Sequence, residues 1–404
     1  MHRSRCSLLL LLLAAAASMP ARPLLVISVD GLDHRYLRDA DQLGLKIPNL
    51  RKLMNGGTWA DKGVVGVYPS DTFPSHTSIV TGVRPDQHGI LSNNRPSVQG
   101  GERYFFANLI TAPALWDAAK QAGLKVGGVQ WPVTVDSPSF TWDFPEYFKR
   151  RRGTGMDWDS MAEKATPGLL DRMTARYPSM PAEFVEDRIR ALATIYLLKY
   201  EKPDLVFLHL VDHDSEAHDT APFSVHAKAI VEYIDGLLGD ILAAKPSNMA
   251  VALVSDHGFE RFDEALNIRA LLRAAGVTAA VEVKAGLVTT NDEAAVKFLR
   301  GMKTAREVPD AEWRRFVPAK PKPLGVFEPP PHTVFATDPA APVRQKILRG
   351  DHGLWPLRED YRSTFILFSP GEKPARLGEI DILSLAGRFA RVLNLDFGKE
   401  KIVK

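Results

Sequence analysis

Short apolar runs rich in Val, Ile and Leu punctuate the chain at Leu24–Val29, Val126–Val129, Leu205–Val211, Ala250–Ser255 and Phe365–Phe368. Each is too short for a helix and too continuously apolar for a strand with one wet face, so they predict strands buried on both sides. Amphipathic spacing between them predicts helices over Ala114–Ala122, Pro181–Tyr200 and Phe223–Ala243. Strands alternating with helices of this length imply the α/β class, a mostly parallel sheet covered by helices on both faces. Ligands of such sheets gather at the carboxyl ends of the strands. Polar clusters follow three of these runs directly.

The pattern changes over 259–349. That stretch holds a helix-like Asp292–Met302, a possible strand pair near Val281–Thr290 and a proline-rich run from Pro318 to Pro331, and the core pattern returns at Gly350. We expect a smaller inserted capping subdomain there, with the catalytic core formed by residues 22–258 and 350–404. Asp136–Gly168 is aromatic and basic with little periodicity, which reads as a loop packed over a site.

Composition adds two constraints. Apolar residues make up 45% of the 404 and charged residues 25%, as in ordinary globular proteins, and the net charge is only +3. With no basic stripe, nucleic acid as an obligate partner is not expected. The basic start (His2, Arg3, Arg5), the apolar run through Ala17 and the small residues to Ala21 read as a signal peptide over 1–21, hence an exported protein, periplasmic or secreted. The run is too short for a transmembrane anchor. The single cysteine, Cys6, lies in the expected signal peptide before that run, so a metal site in the mature chain has to use His and carboxylates.

Four clusters offer such ligands. Asp30 ends LLVISVD; alone it reads more readily as a cap or turn residue. Asp214 and His218 stand four residues apart, a spacing that lets both face one ion from a helical turn, although a solvated loop is an equal reading. Asp256 and His257 follow the Ala250 run in SDHG, and His352 sits in GDHG. Six N/O ligands suit two divalent ions, and zinc is the natural choice for His-carboxylate sets. Two such ions about 4 Å apart clamp the attacking and leaving oxygens of a displacement at phosphorus. The nucleophile would come from Ser70-Asp-Thr72-Phe-Pro-Ser-His, with Pro74 in the first turn of a helix and Thr72 at or just before its N-terminus. A plain N-cap threonine is the competing reading.

The run TFPSHTSIVTGVRPDQHGI, together with VDG at Asp30, D-x-x-A-H at 214–218, SDHG at 255–258 and DHG at 351–353, resembles the nucleotide pyrophosphatase/phosphodiesterase branch of the alkaline phosphatase superfamily. The resemblance covers residues 24 to about 395, loosely over 136–180 and the capping region. It implies an alkaline-phosphatase-like fold and one zinc held by Asp214, His218 and His352. The second would be held by Asp30, Asp256, His257 and the oxygen of Thr72. It also implies that the Asn93 amide contacts a phosphoryl oxygen and that Phe73 stacks on a nucleobase; a turn asparagine and a core phenylalanine are the plainer alternatives. His76, His88, His209 and His213 match no ligand position.

The expected activity is therefore hydrolysis of a phosphodiester or nucleotide pyrophosphate through a phosphothreonine on Thr72, with retention at phosphorus. A phosphomonoesterase is the runner-up, with Lys149 or Arg151 meeting the extra charge. Phosphonate cleavage and a non-catalytic metal-binding role are weaker alternatives. A sulfatase is disfavoured, since its Cys/Ser-x-Pro-x-Arg motif is missing. Two departures concern the substrate: Asn94-Arg95-Pro96 where relatives continue Met-Tyr-Asp, and Asp212-His213 where they carry Glu-Pro.

Overall fold

The computed structural model describes residues 21–95, 102–152, 155–302, 305–338 and 340–397. The leader expected over 1–21 lies, except for Ala21, outside the described residues, as does Pro96. Eight strands form the main sheet, in the order Ala375–Arg376, Thr58–Trp59, Phe365–Phe368, Ala250–Val254, Leu24–Val29, Leu205–Leu210, Val126–Val129 and Trp142–Phe144. The Leu24 strand pairs in parallel with both the Ala250 and the Leu205 strands, and the parallel run continues to the Trp142 edge. Only Phe365–Phe368 runs antiparallel to its neighbours. The fold is thus the mostly parallel α/β sheet that the apolar runs implied.

Alternation along the central strand divides the core. Leu25, Ile27 and Val29 join a cluster with Leu50, Leu53, Val231, Ile234 and Leu238, contributed by helices Pro48–Gly56 and Val225–Ala244. Leu24 and Val26 point the other way, toward Ile79, Val80, Leu115, Trp116 and Phe389 from helices Thr72–Thr81, Leu115–Gln121 and Leu385–Val392. Each fully buried aliphatic side chain contributes about 1.5–3 kcal/mol, so the two faces together dominate stability.

Residues 260–351 leave this sheet. They form a three-stranded sheet (Thr333–Ala336, Glu260–Asn267, Arg344–Asp351) and a four-stranded one (Glu282–Lys284, Leu287–Thr290, Gly325–Glu328, Arg306–Glu307) around apolar clusters that include Leu266, Val288 and Phe327. The expected helix and strand pair are both present, at Glu293–Gly301 and across 282–290. Two features differ from the sequence reading. The proline-rich run contains a buried strand, Gly325–Glu328, paired on both sides. Strand Arg344–Asp351 is mostly exposed and polar, and so left no apolar signature.

The 136–168 loop also needs correction. It supplies the sheet's edge strand Trp142–Phe144, a hairpin pair Arg151–Arg152 and Gly155–Asp157, and helix Trp158–Lys164. Two- and three-residue strands are too short to show a period. Within the edge strand Asp143 is buried, its Oδ1 has no hydrogen-bond partner among the described residues, and burial pushes its carboxyl up to about 8. The native state therefore keeps this proton between about pH 4 and 8, while the unfolded chain releases it near pH 4. On this group's account stability falls as pH rises through that interval. Asp143→Asn should remove the slope and raise stability at pH 8 by on the order of 1–3 kcal/mol, with little change at pH 4. Thermal midpoints across pH check this.

Candidate metal centre and active site

The strands Ala250–Val254, Leu24–Val29 and Leu205–Leu210 are neighbours and parallel, so their carboxyl ends lie side by side. Asp30 leaves the middle strand, Asp256 and His257 one neighbour, and helix Asp212–Thr220, carrying Asp214 and His218, the other. His352 arrives from strand Arg344–Asp351, which packs beside that helix. Gly350 permits the close approach, because a Cβ there would lie 2.2 Å from the Ala217 carbonyl oxygen.

Ligand atoms of Asp30, Asp256 and His257 fall within 4.8 Å of one another, as do those of Asp214, His257 and His352. His257 Nε2 is 3.2 Å from Asp30 Oδ1 and 3.1 Å from Asp256 Oδ2. His218 Nε2 and His352 Nε2 stand 3.5 and 3.6 Å from the same oxygen, Asp214 Oδ1. The His257 and His352 rings stack at 3.7 Å between the two groups. The first group holds three of the four residues expected around one ion, Thr72 being the fourth. The tightest version of the second includes His257, with His218 at its half-buried outer side.

Backbone carbonyls orient all three histidines. Nδ1 of His218 meets Gly350 O at 3.2 Å, that of His257 meets Gly258 O at 3.1 Å, and that of His352 meets Ser70 O at 3.3 Å. With Nδ1–H donating to a carbonyl, Nε2 is the lone-pair nitrogen turned to the centre, the usual arrangement for a metal ligand. Asp30 Oδ1, Asp214 Oδ1, Asp256 Oδ2 and His257 Nε2 are buried and find no hydrogen-bond partner among the described residues. Buried polar atoms are rarely left so. Carboxylate oxygens and imidazole nitrogens converging at these distances fit divalent cations, zinc foremost.

His209 belongs here too, and the sequence reading passed over it. Its Nε2 lies 3.0 Å from Asp30 Oδ2, and its Nδ1 lies 3.2 Å from Glu146 Oε2. Burial opposes its charge, but these two carboxylates prevail and push it up to about 10. Burial likewise opposes ionisation of Asp30, yet the hydrogen bond to His209, with the His257 ring close by, holds its carboxyl well below the usual range. His209 thus occupies one oxygen of Asp30 and leaves the other facing the centre. Burial, with the Asp30 charge adding to it, pushes Asp256 upward. A signal existed: one His in an otherwise apolar buried strand needs a partner, and strand register sets it opposite Ser28.

Thr72 is the first residue of helix Thr72–Thr81, 8% exposed, with its carbonyl held by His76 Nδ1 at 2.8 Å. His76 Nε2 in turn meets Ser28 Oγ, so this histidine braces the helix start as a hydrogen-bonder. Asn93 Oδ1 accepts from the Phe73 amide at 2.9 Å, which leaves its NH₂ group to donate elsewhere. Thr72, Asn93, Asp30, Asp214, His218 and His352 line one cavity of about 110 Å³. Arg103, Glu146, Arg151, Met156, His209 and Val211 complete its wall.

The structure corrects two expectations here, the second only in part. Phe73 is 0% exposed, packed with Ile90, Tyr104, Phe105, Val133 and Val135, and the Arg103 guanidinium lies 5.4 Å above its ring. It therefore offers no open face for a nucleobase. Lys149 turns outward to Glu163 at 2.6 Å, whereas Arg151 does reach the cavity and donates to Ser215 Oγ at 2.9 Å.

Behind the site, Asp187 accepts from the backbone amides of Val211 and Asp212 at 2.8 and 3.1 Å, fixing the turn into the Asp214 helix. It also pairs with the fully buried Arg190 at 2.8 Å. Removing one partner of a buried pair strands the other charge, so Asp187→Ala should cost about 3–5 kcal/mol. Urea unfolding measures this; a loss under about 1 kcal/mol would contradict it.

Comparison with known proteins shows what the chain resembles. The family model for type I phosphodiesterase / nucleotide pyrophosphatase matches residues 24–342. Human ectonucleotide pyrophosphatase/phosphodiesterase family member 1 is 29% identical over 257 residues, covering 61% of this chain and 24% of its own length. A venom phosphodiesterase of Macrovipera lebetinus is 28% identical over 264 residues, covering 61% and 27%. The chain thus spans about a quarter of the length of these curated relatives. The structure of murine ectonucleotide pyrophosphatase/phosphodiesterase 5 superposes with a TM-score of 0.63 at 18% identity, covering 93% of this chain and 95% of that one. An inactive form of the same mouse protein was solved in complex with AMP and superposes equally well. With the family model spanning most of the chain, this protein belongs to the type I phosphodiesterase / nucleotide pyrophosphatase family.

Proposed function

We propose that the chain hydrolyses phosphodiester or nucleotide pyrophosphate bonds with Thr72 as nucleophile. The observation that carries this reading is a threonine at a helix start lining one cavity with members of two convergent His-carboxylate groups. The relatives' names give the bond class, and the AMP complex of the mouse protein is in keeping with a nucleotide substrate.

Asp30, Asp256, His257 and the Thr72 oxygen would hold one zinc, and Asp214, His218 and His352 the other. Bound there, the two cations would lower the pKa of the threonine hydroxyl and offset negative charge at phosphorus and on the leaving oxygen. The chain's own groups do the rest. Thr72 Oγ1 attacks phosphorus in line, the P–O bond to the leaving group breaks, and a phosphothreonine forms. The Asn93 NH₂, freed by the bond that its Oδ1 makes to the Phe73 amide, donates to a non-bridging oxygen. His76 holds the Thr72 backbone still, and His209 with Glu146 fixes Asp30. Water then attacks from the vacated side, restoring Thr72 with overall retention.

We further assign residues 259–349 as a capping insertion into a core of 22–258 and 350–404, since they build their own sheets and still deliver His352 to the site. Export to the periplasm or medium rests on the leader pattern; no helix of the described residues is long and apolar enough to cross a membrane. Hydrolysis of bis(4-nitrophenyl) phosphate by the purified, zinc-loaded chain tests the function. Failure on every phosphoric ester and anhydride tried would overturn it.

A further inference from the structure

Arg103 is a half-buried cation lining this cavity, and among the described residues it stands over aromatic rings and forms no ion pair. Its guanidinium lies 5.4 Å from the Phe73 ring centroid and 5.3 Å from that of Phe148. Glu146, whose charge also acts on it, is engaged by His209. Ring faces return about 0.5–2 kcal/mol to such a cation, much less than an ion pair in the same setting. A guanidinium held this way retains donors for a ligand, and its planar fork suits phosphate oxygens.

Its position specifies which oxygens. Asn94 and Arg103 form an antiparallel bridge, and the Tyr104 amide reaches Asn93 O. Asn93 and Arg103 therefore sit on facing segments and line the same wall beside Thr72. The cavity of about 110 Å³ is well below the roughly 300 Å³ at which pockets for drug-sized ligands begin. A phosphoryl group is of the right scale for it, whereas a nucleobase would have to displace Arg103 to reach Phe73. A diester has two non-bridging oxygens and one negative charge; a monoester dianion has three oxygens and two charges.

We propose that Arg103 gives this centre a phosphomonoesterase activity, by binding the additional non-bridging oxygen of a singly esterified phosphoryl group and closing the Phe73 face to nucleobases. The proposal rests on the Thr72 reading above. The reaction balances with water alone: Thr72 Oγ1 bonds phosphorus as the ester P–O bond breaks, and the alcohol leaves with the threonine proton. Water then cleaves the phosphothreonine, returning a proton to Thr72 and releasing inorganic phosphate. No oxidant or further co-reactant is required.

The test compares kcat/KM for 4-nitrophenyl phosphate and bis(4-nitrophenyl) phosphate in the zinc-loaded wild type, Arg103→Leu and Arg103→Lys, with Thr72→Ala as control. Inhibition by inorganic phosphate gives a readout of binding alone. We expect the monoester-to-diester ratio to fall about 10- to 100-fold in Arg103→Leu, the worth of one charge-assisted hydrogen bond. Phosphate inhibition should weaken at least about tenfold, and lysine should restore part of both. Should the leucine variant fold poorly, the Lys variant and phosphate inhibition decide alone, because lysine keeps the charge and loses only the fork. A wild type that cleaves the diester and not the monoester overturns the proposal, as does an unchanged ratio. A wild type inactive on both, or a fully active Thr72→Ala, overturns the Thr72 reading instead.

Discussion

Replacing Thr72 by alanine should lower hydrolysis of every phosphoester at least about a thousandfold while leaving the fold intact. The side chain is small and lies at a helix start, and its oxygen makes none of the hydrogen bonds that brace that turn. His76 still holds the residue's carbonyl, and Asn93 still takes the Phe73 amide. Unfolding therefore cannot account for lost turnover, and near-native thermal midpoints should accompany it. Mass spectrometry of acid-quenched wild type should find phosphate on the peptide that contains Thr72, and none in the variant. Full activity in Thr72→Ala would mean that another group attacks phosphorus.

Stripping the metals should have the second largest effect, on stability as well as on turnover. Without cations, Asp30, Asp214 and Asp256 each bury an oxygen with no hydrogen-bond partner among the described residues, and Asp30 raises the cost of ionising Asp256. Ligands that bind only the native state stabilise it by about 2.7 kcal/mol at a hundred times Kd, and two sites add. Chelation is thus expected to abolish hydrolysis and to lower the thermal midpoint by on the order of 5 °C or more, both reversed by zinc. Metal analysis should find about two ions per chain. A midpoint indifferent to chelator, with less than one ion per chain, would remove the two-metal reading.

Much of this was legible in the residues. Continuous apolar runs marked the five principal strands to within a residue, because strands buried on both faces have no polar side to blur them. Asp30 and Asp256 were open to view as candidates within two residues of the ends of those strands, and Asp214 four residues beyond its own. Arg103 and Glu146 were not. They reach the cavity from segments whose convergence depends on packing between distant loops, which no local period encodes. Phe73 was ambiguous, because an aromatic beside a nucleophile looks the same in sequence whether its face is open or covered. Arg344–Asp351 was invisible for the opposite reason to the core strands, being exposed and charged along most of its length.

The placement of His352 has a consequence for how the protein matures. As the chain emerges residue by residue, Asp30, Thr72, Asp256 and His257 are all available once the Ala250–Val254 strand has been made. The partner set stays incomplete until strand Arg344–Asp351 has followed. A nascent or prematurely terminated chain could thus capture one ion and hold a threonine beside it while remaining unable to assemble the second centre. On the proposed reading, competence would wait until His352 has been added, 95 residues after His257 (352 − 257), a delay that would spare phosphoesters from a half-made site.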